Sequence, residues 1–253
     1  MTERNFFVQS DVVEVSGGIE MHNVVKHGET GIPGFQVSAA TKEMINDALL
    51  DAPSWLPFAA ERYNISPDIR DYVIMTVPIM PSDLPNRNNV AFPYSQLTSF
   101  NTDSGMIAYK TWKGKPMHVE HQNKDYTKAK GVILDSALRP MKGYKGNLWK
   151  VLCLGAIDRT RDVVLANQIM TGERPCYSMG AFCNDYTCSI CGASLAEKGG
   201  CPHLMKGDPT YKMVDNKVAC WNIFDMIGYE LSNVASPAYL IAEQNTDELI
   251  TLD

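Results

Sequence analysis

Extended apolar segments separated by turn-forming residues dominate the chain from residue 69 onward. They are rich in β-branched and aromatic residues, and the cluster PSDLPNRNN after the first of them is typical of a turn. The segments are DIRDYVIMTVPIM, GMIAYKTW (Gly105 to Trp112), GVILDSALR, NLWKVLCLGAI, CYSMGAFC and IGYELSNVAS, with KGYKGN as a hairpin-like link between the third and fourth. This succession predicts a mainly β domain from about Ile69 to Tyr239.

Helical patterns are fewer and lie mostly before the β segments. TKEMINDALLDA, with Thr41 as its cap, and WLPFAAERYN, with Pro57 in its first turn, predict two helices. RDVVLANQIMT predicts one helix among the strands, with Asp158 or Thr160 as its cap and Gly172 at its end. The sequence therefore predicts a helical segment followed by a β-rich domain.

Composition disfavours two classes of partner. The 253 residues are 45% hydrophobic and 21% charged, as in globular proteins, and the net charge of -6 offers no broad positive field for nucleic acid. The longest apolar run, VLCLGAI, has about seven residues, whereas a membrane span needs about 20. The amino-terminal residues lack the basic and apolar regions of a signal peptide. We expect no general nucleic-acid binding, no membrane partner and a cytoplasmic protein.

Four metal-binding side chains lie close together in the sequence. Cys188-x-x-Cys191 followed by Cys201-x-His203 supplies three thiols and one imidazole within sixteen residues, which suits tetrahedral zinc. The intervening GASLAEKGG is flexible enough to bring the two pairs together. Because four protein ligands leave no open position for substrate, we predict a closed, structural zinc site.

Other interpretations of the cysteines stay open. The cluster could consist of reduced thiols in a loop or of a redox dithiol, although the pair does not begin a helix after a strand. Cys183 or Cys220 could replace His203 as the fourth ligand. Seven cysteines in a chain without an export signal do not suggest disulfides, and Cys153, Cys176 and Cys220 have the apolar surroundings of core residues.

Ser178, in CYSMGAFC, is a candidate nucleophile only if the fold supplies a base. A serine hydroxyl needs a base, a group that orients that base, and donors for the charge that develops on the substrate. Two of the five histidines lie in the weakly patterned amino-terminal part and His203 is assigned to the metal, which leaves His118 and His121. If their segment stays extended, these two point to opposite faces. Alone, Ser178 is better explained as a strand residue on a half-buried face.

Several separated segments together resemble the prohead maturation proteases of tailed bacteriophages, which are related in fold to the herpesvirus assembly proteases. In that family a histidine precedes a G-x-h strand, a helix ends near a glycine, and an S-h-G strand precedes E-h-S-x-V and P-A, where h is apolar. This chain has His121 before GVILD, the helix RDVVLANQIMTG, Ser178 in YSMGA and Glu230 in YELSNVASPAY. The resemblance covers about residues 72–239, and VPIMPSDLPNRNNVAFP followed by AYKTWKGKPMHVEH is similar to the large-phage branch.

The resemblance implies an α+β, mainly β fold. Its core would be a β-barrel like that of the herpesvirus assembly proteases, with flanking helices and a zinc-binding loop insertion at about residues 183–210. Residues 69–253 would form the serine protease domain, and residues 1–68 a partly helical amino-terminal segment that is either a propeptide or an accessory region.

The resemblance also implies roles for three side chains: Ser178 as nucleophile, His121 as general base and acid, and Glu230 as the group that orients the imidazole. His118 is the alternative base, and the alternatives to Glu230 are Asp125, Asp135 and Asp158. The herpesvirus relatives build their oxyanion site from a paired-arginine stretch that this chain lacks after Glu230. The oxyanion donors therefore stay unassigned, with backbone amides near Gly180 as candidates.

The function implied is that of a serine endopeptidase acting through an acyl-enzyme, with structural zinc and no cofactor needed for catalysis. It would cut scaffold and capsid precursor proteins, and itself, inside an assembling prohead in the host cytoplasm, and it would self-associate. One alternative is a zinc-stabilised structural or protein-interaction module of the prohead core in which Ser178 is only a strand residue. Another is a protease that has lost its activity and serves in that core.

Overall fold

A computed structural model describes residues 6–15, 52–141, 148–205, 212–235 and 249–251. The strands are β1 (Phe6–Val15), β2 (Tyr72–Pro81), β3 (Val90–Ala91), β4 (Phe100–Asn101), β5 (Met106–Ile107), β6 (Pro116–Val119), β7 (Gly131–Pro140), β8 (Trp149–Asp158), β9 (Tyr177–Cys188), β10 (Lys212–Val214), β11 (Lys217–Ala219), β12 (Trp221–Asn233) and β13 (Leu249–Thr251). The α-helices are α1 (Leu56–Tyr63), α2 (Tyr94–Leu97), α3 (Val163–Met170) and α4 (Leu195–Lys198). The described part of the chain is thus mixed α/β and mainly β, which confirms the predicted class.

One large sheet brings together strands that are far apart in the sequence. Its order is β1-β9-β12-β6-β7-β8-β2-β13, and β3 pairs with β12 beside this path. Neighbours along the path are antiparallel except β12 and β6, which run parallel. The order places β9, β12 and β6 side by side, and these strands carry or precede Ser178, Glu230 and His121.

The described strands do not close the β-barrel that the resemblance implied. Within the described residues, β1 pairs with β9 and β13 pairs with β2, so the order of the sheet has two ends. A barrel requires hydrogen bonds between the first and last strands. The described ladders include no such pairing, and the expectation of a closed barrel is wrong for this part of the chain.

Both faces of the sheet are covered around β2, whose residues are all buried. Alternate side chains of a strand point to opposite faces. Val73 and Met75 belong to a larger apolar cluster that includes residues of α3, whereas Tyr72 and Ile74 belong to a smaller cluster that includes residues of α1. Each face of the sheet is therefore covered in part by one helix of eight residues.

The same alternation orients the strand that carries Ser178. Tyr177, Met179 and Ala181 are fully buried in the larger cluster. Their neighbours Ser178 and Gly180 must therefore point to the opposite face. The pattern of apolar residues at every second position of YSMGA thus decides on which side of the sheet the serine hydroxyl lies.

Two details of the predicted elements differ from the structure. The predicted strand from Gly105 to Trp112 is mostly wrong: β5 is followed by a short 3-10 helix, Ala108–Lys110, because Trp112 is fully buried in the larger cluster and packs against Gly228. The cap of α3 is neither Asp158 nor Thr160 but Asp162, whose carboxylate accepts a hydrogen bond from the Leu165 N–H at 3.0 Å.

Other predicted elements agree or fall outside the described residues. The helix predicted in WLPFAAERYN is α1, and α3 ends at Met170, two residues before Gly172, whose φ of 73° is left-handed. The helix TKEMINDALLDA and the link KGYKGN lie outside the described residues, although β7 and β8 pair as antiparallel neighbours. No helix in the described segments is long and apolar enough to cross a membrane.

Candidate functional site

Ser178, His121 and Glu230 meet on one face of the sheet. His121 Nε2 lies 2.9 Å from Ser178 Oγ, and His121 Nδ1 lies 2.9 Å from Glu230 Oε1. The His121 side chain is 11% exposed, whereas Ser178 and Glu230 are buried. A hydroxyl, an imidazole and a carboxylate in hydrogen-bonded series are the arrangement that activates a serine nucleophile.

The register of β9 with β12 sets Ser178 and Glu230 on the same face. Ser178 lies opposite Ser232, and Gly180 lies opposite Glu230. Pairing shifts by one residue between Gly228 and Glu230, so that Tyr229 is an extra residue in β12. If the same residues of β12 paired regularly through Tyr229, Glu230 would face the larger apolar cluster, because a shift of one residue moves every side chain of a strand to the other face.

Gly180 leaves the space that the Glu230 carboxylate occupies. A Cβ at position 180 would lie 3.0 Å from Glu230 Oε1 and 3.2 Å from Glu230 Cγ, closer than ordinary van der Waals contact. The group that approaches the backbone at this glycine is the Glu230 side chain. The glycine two residues after the serine therefore has a steric reason.

Both oxygens of the buried Glu230 carboxylate have partners. Oε1 lies against His121 Nδ1, and Oε2 accepts a hydrogen bond from the Ser232 hydroxyl at 2.6 Å. A buried carboxylate is costly unless it is hydrogen-bonded, so Ser232 offsets part of this cost. Sequence reasoning did not single out Ser232, although its position two residues after Glu230 in a strand predicts a shared face.

A tight turn after β6 carries His121 to Ser178. Glu120 and His121 have φ values of 48° and 52°, in the left-handed region that costs roughly 1–2 kcal/mol for residues other than glycine. The turn is closed by hydrogen bonds from Gln122 N to Val119 O and from Asn123 N to His121 O, at 3.0 and 2.7 Å. The chain therefore does not stay extended through both histidines.

His118 lies within β6 and not at the Ser178 hydroxyl. It pairs with Ser232 in the register of β6 and β12, it is fully buried, and among the described residues neither ring nitrogen has a hydrogen-bond partner. Burial lowers the pKa of His118 below its usual 6.5, although the carboxylates of Glu230 and Asp125 oppose this shift. His118 is therefore a neutral buried residue beside the site.

The acidic alternatives to Glu230 are engaged elsewhere. Asp125 accepts hydrogen bonds from the backbone and hydroxyl of Thr127, and Asp135 pairs with Lys110 at 3.0 Å. Asp158 accepts a hydrogen bond from the Ser66 N–H at 2.7 Å. Glu230 is the carboxylate that the structure places against His121.

A second group of residues could hold a metal ion. The donor atoms of Cys188, Cys191, Cys201 and His203 all lie within 4.8 Å of one another. His203 Nδ1 lies 3.8 Å from Cys188 Sγ and 3.9 Å from Cys201 Sγ. In a tetrahedral zinc site such sulfur and nitrogen ligands are about 3.6 Å apart, so the donor set fits this ion.

The metal cluster is built on the end of β9. Cys188 is the last residue of that strand, and a turn closed by the Gly192 N–H and the Cys188 carbonyl follows it. Cys201 begins a second turn, in which its N–H donates to the Leu204 carbonyl at 2.8 Å. Ten residues of extended strand separate Cys188 from Ser178, about 33 Å, so the cluster lies far from the hydroxyl.

The remaining cysteines do not join this cluster. Cys183 and Cys220 are not members of the metal-binding group found among the described residues, so the fourth donor of the group is His203. All seven cysteines lie in the described part of the chain, and none of them forms a disulfide.

Comparison with protein-family models, with curated proteins and with solved structures finds no match for this chain. Its function must therefore be inferred from the chemistry of its own residues.

Proposed function

We propose that this chain is a serine endopeptidase with Ser178 as nucleophile, His121 as general base and acid, and Glu230 as the orienting carboxylate. The observation that supports this proposal best is the series of hydrogen-bonding contacts from Ser178 through His121 and Glu230 to Ser232. Such a series forms only if the fold brings four side chains from three separate segments within hydrogen-bonding distance of one another.

The contacts of His121 suit proton transfer. An ionised carboxylate can only accept hydrogen bonds, so its contact with Nδ1 places a proton there and leaves Nε2 free to accept the Ser178 proton. As Ser178 Oγ bonds to the substrate carbonyl carbon, its proton moves to Nε2 and then to the departing amine as the peptide bond breaks. A water molecule repeats these steps on the acyl-enzyme and releases the acid.

We further propose the substrates and setting implied by the order of segments around His121, Ser178 and Glu230. These substrates are scaffold and capsid precursor proteins of a phage prohead, together with the chain itself, in the host cytoplasm. The geometry supports hydrolysis through an acyl-enzyme as a reaction class, and the resemblance alone supports peptide substrates, this choice of partners and self-association.

For the metal cluster we propose structural zinc. The three thiolates and the imidazole of Cys188, Cys191, Cys201 and His203 would hold it, as their spacing supports. Zinc there would fix the end of β9 and the two turns that follow it, and it would take no part in the reaction.

A fluorophosphonate probe and mass spectrometry test the proposal. Wild-type protein should be labelled on Ser178 and should yield defined fragments on incubation, whereas Ser178→Ala should be unlabelled and uncleaved with unchanged circular dichroism. Ser95→Ala is the matched control, because Ser95 is an exposed serine in α2. Cleavage retained by purified Ser178→Ala would overturn the assignment.

One observation favours a second candidate, a zinc-stabilised interaction module without catalysis. Ser178 is only 1% exposed, so a substrate reaches its hydroxyl only after neighbouring segments move. This candidate predicts normal zinc content with no probe labelling of either wild type or Ser178→Ala.

A further inference from the structure

We propose that Arg174 is a positioning residue that holds His121 against Ser178, acting through Asn233 and Glu120. The inference rests on the proposed function, since it concerns how the same site is assembled. Arg174 lies in the connection between α3 and β9, four residues before Ser178.

The guanidinium of Arg174 joins two other segments of the site. Its Nε donates to Asn233 Oδ1 and its Nη2 donates to Glu120 Oε1, both at 2.5 Å. Asn233 ends β12, three residues after Glu230, and Glu120 immediately precedes His121. One side chain therefore connects the three segments that carry the serine, the carboxylate and the imidazole.

Asn233 makes further hydrogen bonds at the junction of these three segments. Its Nδ2 donates to the carbonyl oxygens of Arg174 and Cys176, at 2.9 and 3.1 Å. Its own carbonyl accepts the Glu120 N–H at 3.0 Å. Asn233 is fully buried, so these contacts are shielded from competing water.

The turn that this junction supports has a strained backbone. Glu120 and His121 are consecutive residues other than glycine in the left-handed region. Strained backbone persists only where the surroundings over-determine it. The contact of Arg174 with Glu120, together with the Glu120 N–H bond to Asn233, supplies that constraint beside the imidazole.

A surface pair of the same kind elsewhere provides the control. Arg70 Nη2 contacts Asp68 Oδ2 at 2.5 Å, the same separation as in the pair of Arg174 and Glu120. Both pairs are partly exposed, but the Arg70 pair joins residues two positions apart, whereas Arg174 joins distant segments and also contacts the buried Asn233. Isolated surface pairs contribute little, so only the pair beside the site should affect the reaction.

The experiment compares full-length wild type with Arg174→Ala, Glu120→Ala, the double variant and Arg70→Ala. The rate of Ser178 acylation by the fluorophosphonate is measured against probe concentration. We expect Arg174→Ala to lower the saturating rate constant about 10- to 100-fold, with little change in the half-saturating concentration, because a misplaced base slows chemistry more than binding. Added guanidinium ion should restore part of the rate, and the double variant should be no slower than the slower single variant.

Two outcomes would overturn the inference. One is labelling of Arg174→Ala at the rate of Arg70→Ala; the other is a loss of rate that only parallels a loss of folded protein by circular dichroism and does not respond to guanidinium. An unlabelled wild type would contradict the proposed function instead. In that case the low-field NMR resonance of the His121 Nδ1–H proton would test the inference. This resonance is assigned by its absence from the spectrum of His121→Gln. Loss of the resonance in Arg174→Ala supports the inference, and persistence of the resonance overturns it.

Discussion

Glu230 lies directly opposite Gly180 in the pairing of β12 with β9, and its Oε1 fills the space that a side chain at position 180 would need. Gly180→Ala should therefore displace the carboxylate from His121 and lower the rate of Ser178 labelling about 10-fold or more. Gly180→Val should lower it further, because it adds two more carbon atoms at the same place. Equal rates for wild type and both variants would show that Glu230 does not depend on this space.

Substitutions of His121 and His118 should have very different effects on the rate of Ser178 labelling. His121→Ala should reduce Ser178 labelling at least about 10³-fold, because it removes the imidazole that is placed to take the serine proton. His118→Ala should alter the labelling rate only a few-fold, since His118 makes no hydrogen bond within the described structure. The reverse ranking of the two variants would move the role of base to His118.

Acid should destabilise the protein through His118. Its folded-state pKa is lowered by burial, so the unfolded chain binds this proton more readily than the folded chain. The stabilising contribution is fully present above about pH 6.5 and is lost as the pH falls below that value, by at most about 1.4 kcal/mol per pH unit. Urea unfolding of wild type and His118→Gln at pH 7.5 and 5.5 should show a smaller loss in the variant. Equal losses would contradict this account.

Removal of the metal should reduce stability without stopping the chemistry. Zinc held at about 1,000 times its Kd would contribute about 4 kcal/mol, which corresponds to roughly 10 °C in Tm. Cys191→Ser should lose stoichiometric zinc by elemental analysis and unfold at a lower temperature. Cys220→Ser, outside the cluster, should keep the zinc content and the Tm of wild type. At a temperature where both variants are folded, the rate of Ser178 labelling in each should be similar to that of wild type. Full zinc content in Cys191→Ser would contradict the ligand assignment.

Strand β1 should limit access to the nucleophile. It pairs with the edge of β9 that faces away from β12, and Glu14 lies opposite Ser178. Deletion of residues 1–15 should therefore free this edge and raise the labelling rate of Ser178 several-fold, since extended peptides bind readily to open strand edges. Deletion of residues 1–5 is the matched control, because it leaves β1 in place. A slower rate in the longer deletion would show that β1 helps to build the site.

Sequence periodicity predicted much of the sheet, including the strand that carries Ser178. The alternation of Tyr177, Met179 and Ala181 is local, so a strand and its buried face follow from it directly. The segment from Gly105 to Trp112 was predicted wrongly because its apolar residues pack as a turn against β12 and not as a paired strand. Burial of Trp112 depends on residues more than a hundred positions away, which local pattern does not contain.

The geometry of the site was less accessible from sequence. The choice between His118 and His121 depends on two left-handed residues, and neither is a glycine that would signal such a turn. The bulge at Tyr229 likewise has no glycine or proline at the extra residue. Ser232 lies only two residues from its partner Glu230, so the strand period could have indicated it. The partners of Arg174 are distant in sequence, and Arg174 becomes relevant only once β12, β9 and the β6 turn are neighbours.

The bulge at Tyr229 divides β12 into two stretches that are out of phase with each other. Residues before it, such as Met226, contribute to the larger cluster in one alternation, and Glu230 and Ser232 follow the opposite one. Loss of Tyr229 alone would restore a regular pleat and still leave Glu230 opposite Gly180, because Tyr229 is the residue without a partner in β9. If all the residues were kept and paired regularly, Glu230 would instead lie opposite Met179, and its carboxylate would face the apolar interior. The number of residues between Gly228 and Glu230 and the irregularity of β12 must therefore change together if the carboxylate is to keep its place.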